Sequence, residues 1–395
     1  MKYSVKNLFL TAFAVMALES CTVEGSITFN NDDYAYAQYL GFQSKDNSLW
    51  GLMNLDGEVL VKPTFKNKPL DVTQDRFFVL NADSLWELYS AEPEPKRIGS
   101  DLYASVGAFR HGLCPVSKPH EGLMYINVNG EKAIDLAILN NKEVVAAFNF
   151  FDERARVQTA DGCQGIIDKQ SAIIVEPIYN VVSDYRYGKA FVYKLLKSGQ
   201  NKDEQEWAVI DTEGKELFSS TTGEMCPILD RFEANGLAIV KTNGDRDKTY
   251  ALIDETGKVV RNLTMDSVEE MRGNYIVFTM GNKYGLMNVD GKMLINPSFD
   301  WVATNGEIIM ANNDNTGLYQ LFDQNGQVIK SLDGDEVTVF GKYVIGHDKC
   351  FRLEQDNTDG LYDKYGLPIG TDGDIEGFTQ MIGEVSGYAT SDKAQ

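Results

Sequence analysis

At 395 residues, with 43% hydrophobic and 11% aromatic side chains, the chain can bury a core, but it is longer than one conventional single-core domain. Its formal net charge of -21, from 37 basic and 58 acidic residues, argues against nucleic acid and anionic lipid as partners, since both require a contiguous basic surface. With only three histidines in the chain, metal hydrolases and histidine-based triads have little to work with.

The first element in chain order is an export signal. Lys2 and Lys6 give a positive start, and the apolar run Leu8 to Leu18 is too short to span a bilayer. Leu18, Glu19, Ser20 and Cys21 resemble the lipobox of bacterial lipoproteins, with Glu19 where a small neutral residue is usual. The resemblance implies cleavage before Cys21 and lipidation of that cysteine, so the membrane would be reached only through the lipid. The expected organisation is a signal peptide over 1–20, a tether over 21–30 and a repeat domain over 31–395. The expected location is the outer membrane of a Gram-negative bacterium.

The rest of the chain repeats itself. Trp50-Gly51-Leu52-Met53-Asn54-Leu55-Asp56-Gly57 with the following Pro63 and Phe65 returns as Tyr284-Gly285-Leu286-Met287-Asn288-Val289-Asp290-Gly291 with Pro297 and Phe299. A looser copy runs from Gln164-Gly165 to Pro177 and Tyr179, with Ser171 where the turn glycine belongs. Trp207-Ala208 to Gly214 and Tyr250-Ala251 to Gly257 replace the opening glycine by alanine. Further copies begin at Trp86, Gly122, Tyr319 and Gly360. Each apolar run reads as a β-strand, the Asp-Gly or Asn-Gly pair supplies a positive φ for a tight hairpin, and the proline ends the second strand. Another strand precedes each opening, as at Phe109 to Val116 and Phe232 to Val240.

This pattern resembles the WG-repeat family of bacterial proteins. The resemblance implies a β-repeat architecture and an interaction role, and it carries over no catalytic residue. The fold expected is all-β, with about eight or nine tandem units of short strands in a propeller-like ring; an open β-solenoid is the alternative. Tyr34 to Phe42 is the candidate closing strand.

Several residues invite a chemical role. His111, Cys114 and His120 fall close together, but Cys114 takes the place of Ala238 in a related stretch and so reads as a small core residue. Cys163, Cys226 and Cys350 read the same way, with one disulfide as the alternative. Asn312, Asp314, Thr316, Gly317 and Asp323 match part of a calcium-loop spacing, although Asp323 already has a hairpin role. The once-per-unit Trp and Tyr residues suggest a sugar-stacking ladder, yet their periodicity favours packing between units. The connections Leu195 to Glu206 and Ala91 to Asp101 are the better binding candidates. Taken together, the sequence points to a non-enzymatic lipoprotein that binds a protein or glycan, with no catalytic, cofactor or metal residue. The alternative is a glycan-acting enzyme using acidic residues on the same scaffold.

Overall fold

A computed structural model describes residues 39–44, 47–54, 59–136, 138–194, 205–242, 249–304, 306, 309–313, 318–333, 336–338, 350–355, 358–363, 375–376 and 388–390. Cys21 and the signal segment therefore lie outside the described residues, as do most of Leu195 to Glu206 and residues Asp314 to Gly317. Among the described residues every regular element is a strand and none is a helix. No helix long and apolar enough to cross a membrane is found among them.

The strands form successive antiparallel meanders, as the alternation of short apolar runs and turns requires. The seventh unit is typical: Ser267–Arg272, Tyr275–Met280, Lys283–Asn288 and Met293–Phe299 pair in chain order. The third, sixth and eighth units are likewise separate four-stranded sheets. The fourth and fifth share one path, because the ten-residue strand Ile173–Val182 ends one unit and opens the next. The second unit is reduced to Arg76–Leu80 and Trp86–Ser90, with isolated bridges from Tyr89 to Arg97 and from Trp86 to Tyr103 completing its outer side.

The array closes into a propeller-like ring. In the first unit, Tyr39–Ser44, Trp50–Asn54 and Val59–Phe65 occupy the second, third and fourth strand positions. The vacant first position is filled from the far end of the chain, where Ile375–Glu376 pairs with Gln43 and Ser44. Tyr39–Ser44 thus overlaps the segment expected to close the ring, but it does so as an acceptor for a C-terminal strand; residues 34 to 38 are outside the described set.

The core sits between units. Among the described residues seven buried clusters occur, and each draws on two consecutive units. Phe191, Trp207 and Val209 of the fifth unit pack with Phe232, Ala238 and Ala251 of the sixth. A unit of three or four short strands cannot bury its apolar face alone, so stability resides in nearest-neighbour joints.

Candidate functional site

The repeated residues have structural duties. In seven turns an Asx residue is followed three positions later by a residue with positive φ: Asn81 and Ser84, Asn127 and Gly130, Asp168 and Ser171, Asp211 and Gly214, Asp254 and Gly257, Asn288 and Gly291, Asp323 and Gly326. The Asx side-chain oxygen accepts backbone N–H groups further along the turn. Asp211 Oδ1 accepts from Glu213 N at 3.1 Å and Lys215 N at 2.9 Å, and Asp323 Oδ1 from Asn325 and Gln327 N, both at 2.8 Å. This is wider than the two-residue hairpin suggested by the Asp-Gly and Asn-Gly pairs, since only the last residue of each turn has positive φ. Backbone hydrogen bonds hold the Asp254 and Asp323 carboxyls below the usual range, after the Thr256 hydroxyl in the first case. These carboxylates are occupied by their own turns.

The turn glycines also seat units against each other. A Cβ on Gly257 would lie 2.6 Å from the ring of Phe218 in the preceding unit, and one on Gly214 would lie 2.9 Å from the Ile174 carbonyl. The opening aromatics span the same joints. Trp207 is fully buried and donates from Nε1 to the Met225 carbonyl of the next unit at 2.7 Å. They form inter-unit ties, as their periodicity suggested.

His111, Cys114 and His120 do not converge on one point. His111 and His120 sit in the turns at opposite ends of the strand Leu113–Lys118, whose six residues span roughly 20 Å. Cys114 is fully buried, and that burial pushes its thiol well up. Asn312 lies in a paired strand, and no group of three or more His, Cys, Asp or Glu that could hold a metal ion occurs among the described residues. Cys114 and Cys163 are free and buried, whereas Cys226 is disulfide-bonded. The stretch Ala91 to Asp101 projects less than its composition suggests: Lys96 and Ile98 hydrogen-bond along Trp86–Ser90. Only the Pro-flanked tip Glu92 to Pro95 stands clear, because proline cannot join the ladder.

The strongest concentration of buried charge was not singled out from the sequence. Arg231, Glu233, Glu270 and Arg272 are each no more than 7% exposed. Arg231 Nε donates to Glu233 Oε1 at 2.8 Å and its Nη2 to the Met271 carbonyl at 2.8 Å, while Gly273 N donates to Glu233 Oε2 at 2.9 Å. Arg272 Nε donates to Glu270 Oε1 at 2.5 Å. Burial pushes the Glu270 carboxyl up to about 7 and pulls the Arg272 guanidinium down to about 9. A carboxyl near neutrality suits acid–base chemistry, but this one is held by Arg272, and the network stitches the sixth unit to the seventh. Its sequence signal is the spacing: Arg231 and Glu233, like Glu270 and Arg272, stand two apart, which sets each pair on one side of an extended chain.

Closed meanders of this kind, joined by aromatic ties and polar stitches, define an all-β propeller-like repeat protein. The chain carries WG containing repeats, matched at residues 50–67, 165–194 and 284–315. No curated protein matches it by sequence. Among solved structures it is similar to BamB from Moraxella catarrhalis at 12% identity, over 74% of this chain and 94% of that one, with a TM-score of 0.37. Citrobacter koseri AztD is similar at 11% identity over 76% and 96%, also at a TM-score of 0.37. The Dos1 propeller is similar at 9% identity over 85% and 90%, at 0.39. Likenesses this distant carry nothing about activity.

Proposed function

We propose that the mature protein is a non-enzymatic binding module of the cell envelope, tethered through a lipid on Cys21 and presenting its inter-strand connections to a protein or glycan partner. One observation carries the reading. The side chains that resemble chemistry, namely the recurring Asx residues and aromatics and the buried Arg–Glu pairs between the sixth and seventh units, are engaged in holding turns and joints together. What remains for recognition is the connections, on a broad surface where affinity is assembled from several contacts.

Mass spectrometry of the mature N-terminus tests the tether: an acylated Cys21 is expected, and an unmodified peptide beginning elsewhere overturns it. A screen of the mature protein against envelope proteins and a glycan panel, with the glycans assayed for cleavage, tests the role. Saturable binding without turnover is expected, weakened when the Glu92–Pro95 tip is replaced by Gly and Ser. Turnover lost on replacing one Asp or Glu would overturn the non-enzymatic reading.

A further inference from the structure

One joint is built differently from the rest. In the third, sixth, seventh and eighth units, the first strand ends its sheet and accepts no further strand among the described residues. The fourth unit's first strand, Lys142–Phe151, runs for ten residues, and its outer edge takes two additions. A short inserted strand, Ile138–Leu139, pairs with Lys142 and Glu143. Further along, the C-terminal strand Tyr388–Thr390 pairs antiparallel, placing Thr390 opposite Ala146, Ala389 opposite Ala147 and Tyr388 opposite Phe148. This C-terminal strand belongs to no unit. It also lies against Ser105–Val106 and Leu113–Lys118, so it is wedged into the joint between the third and fourth units.

The joint is shaped for close backbone approach. Ala147 is fully buried and Ala146 is 5% exposed. The two units meet directly beside them: Asn149 Oδ1 accepts from Ala108 N at 3.0 Å, and Tyr125 Oη donates to the Phe148 carbonyl at 2.5 Å. An open strand edge is a template for any extended chain, with backbone hydrogen bonds giving affinity and alternate side-chain positions giving selectivity. The resident strand engages only three of the ten residues of its partner strand.

We propose that the Ala146–Phe148 edge is a peptide-accepting site, occupied at rest by the chain's own C-terminal strand and opened when an extended segment of a partner protein takes its place. The preferred ligand is an extended peptide with a small residue at the register position opposite Ala147, where Ala389 sits. This deepens and rests on the binding reading above, but a peptide probe tests the seat alone, whereas the partner screen tests the reading, so either can fail without the other.

The probe is a fluorescein-labelled synthetic peptide of residues 384 to 394, followed by anisotropy against three forms of the mature protein: the full chain, full-length Ala389→Pro, and a chain ending at Gly387. Both altered forms should bind the peptide saturably at one to one and at least tenfold more tightly than the full chain, whose own strand competes. An Ala-to-Trp change at the peptide's central position should abolish binding. Absence of saturable binding to folded altered forms, or equal affinity for all three, overturns the proposal. Should neither altered form fold, a photo-crosslinking version of the peptide in large excess over the full chain decides: crosslinks at residues 146 to 148 support the site, and their absence overturns it.

Discussion

The fourth and fifth units solve the same hairpin in two ways. In the fourth, Gln164 pairs with Tyr179 and Ile166 with Val175, so Gly165 faces three residues, Glu176, Pro177 and Ile178. The same bulge recurs at Gly51 opposite Pro63 and at Gly285 opposite Pro297. In the fifth unit Trp207, Ala208 and Val209 pair one to one with Ser220, Ser219 and Phe218, and no proline is present. Proline without an N–H pushes the fourth strand out of the ladder and toward its neighbour, and only a residue lacking Cβ leaves room. Glycine and proline therefore act as one device in the first, fourth and seventh units, and the fifth and sixth units lack both.

The joints differ in step. Trp50 and Tyr284, in bulged units, are half-buried, and the aromatic after the proline reaches into the next unit: Phe65 stands 5.6 Å from Phe77 and 4.9 Å from Tyr89, and Phe299 stands 5.8 Å from Phe322. In the straight units Trp207 and Tyr250 are themselves buried and hydrogen-bond across the joint. In the first and seventh units the fourth strand supplies the ring contacts to the next unit, and in the fifth and sixth the third-strand aromatic adds a hydrogen bond across the joint.

The largest test of this contrast is Gly165→Ala. Its Cβ would stand 2.6 Å from the Val175 carbonyl oxygen and 2.8 Å from Pro177 N, both backbone atoms. Overpacking of this kind costs about 1–3 kcal/mol, to be read as a lower urea midpoint. The reciprocal Ala208→Gly creates no clash and loses backbone entropy, about 0.5–1 kcal/mol, together with one buried methyl, about 0.8 kcal/mol. Equal losses at the two positions would mean that the bulge is not what requires glycine.

Trp207→Phe comes next. It strands the Met225 carbonyl in the joint between the fifth and sixth units, a loss of about 1–3 kcal/mol for an unsatisfied buried group. Trp50→Phe, at a half-buried ring in a bulged unit, should cost clearly less. Thermal unfolding of the two variants side by side reads the difference, and a larger loss at Trp50 would reverse the assignment of ties.

A smaller effect, separable by pH, comes from the stitched joint between the sixth and seventh units. Burial raises Glu270 to about 7, and at the neighbouring joint it raises Asp230, which accepts from the Tyr193 hydroxyl of the fifth unit, to about 6, so the folded state binds protons that the unfolded chain has released. Stability from these groups is full below the ordinary carboxyl range and is lost as pH rises through 6 to 7. The urea midpoint should therefore fall between pH 5 and pH 8, and Glu270→Gln should flatten that fall while leaving the pH 5 value nearly unchanged. An unaltered slope would remove Glu270 from the account.

The repeat was legible because its signals are local. Gly51 with Pro63 and Asp254 with Gly257 are twelve and three positions apart, both within one hairpin, and their periodic return reveals stacked units. Cys114 as a small core residue followed from the same alignment of units, through Ala238. Closure by Ile375–Glu376 and the wedge at Tyr388–Thr390 were not legible, since three or fewer paired residues leave no pattern and their partners lie hundreds of positions away. The Arg231 to Arg272 network escaped for a different reason. Its i,i+2 pairs were visible, but the contact joining them runs between units, and a chain rich in charge offers many such pairs on the surface.

The smallest effect bears on why bulged and straight units share one turn. Asp211 and Asp254 close straight units, Asn288 closes a bulged one, and in all three the side-chain Oδ1 accepts a backbone N–H four residues on. If the oxygen alone matters, Asp211→Asn should leave stability unchanged, because asparagine keeps that acceptor and only the charge is lost. Asp211→Ala removes the acceptor for Glu213 N and Lys215 N and should cost about 0.5–1.5 kcal/mol, since exposed turn bonds are partly replaced by water. Urea titration of both variants resolves the two outcomes. A loss at Asp211→Asn as large as at Asp211→Ala would show that the carboxylate charge itself is needed there. The acidic turns would then have a second duty that asparagine cannot perform, and the equivalence of the two kinds of unit at their turns would break.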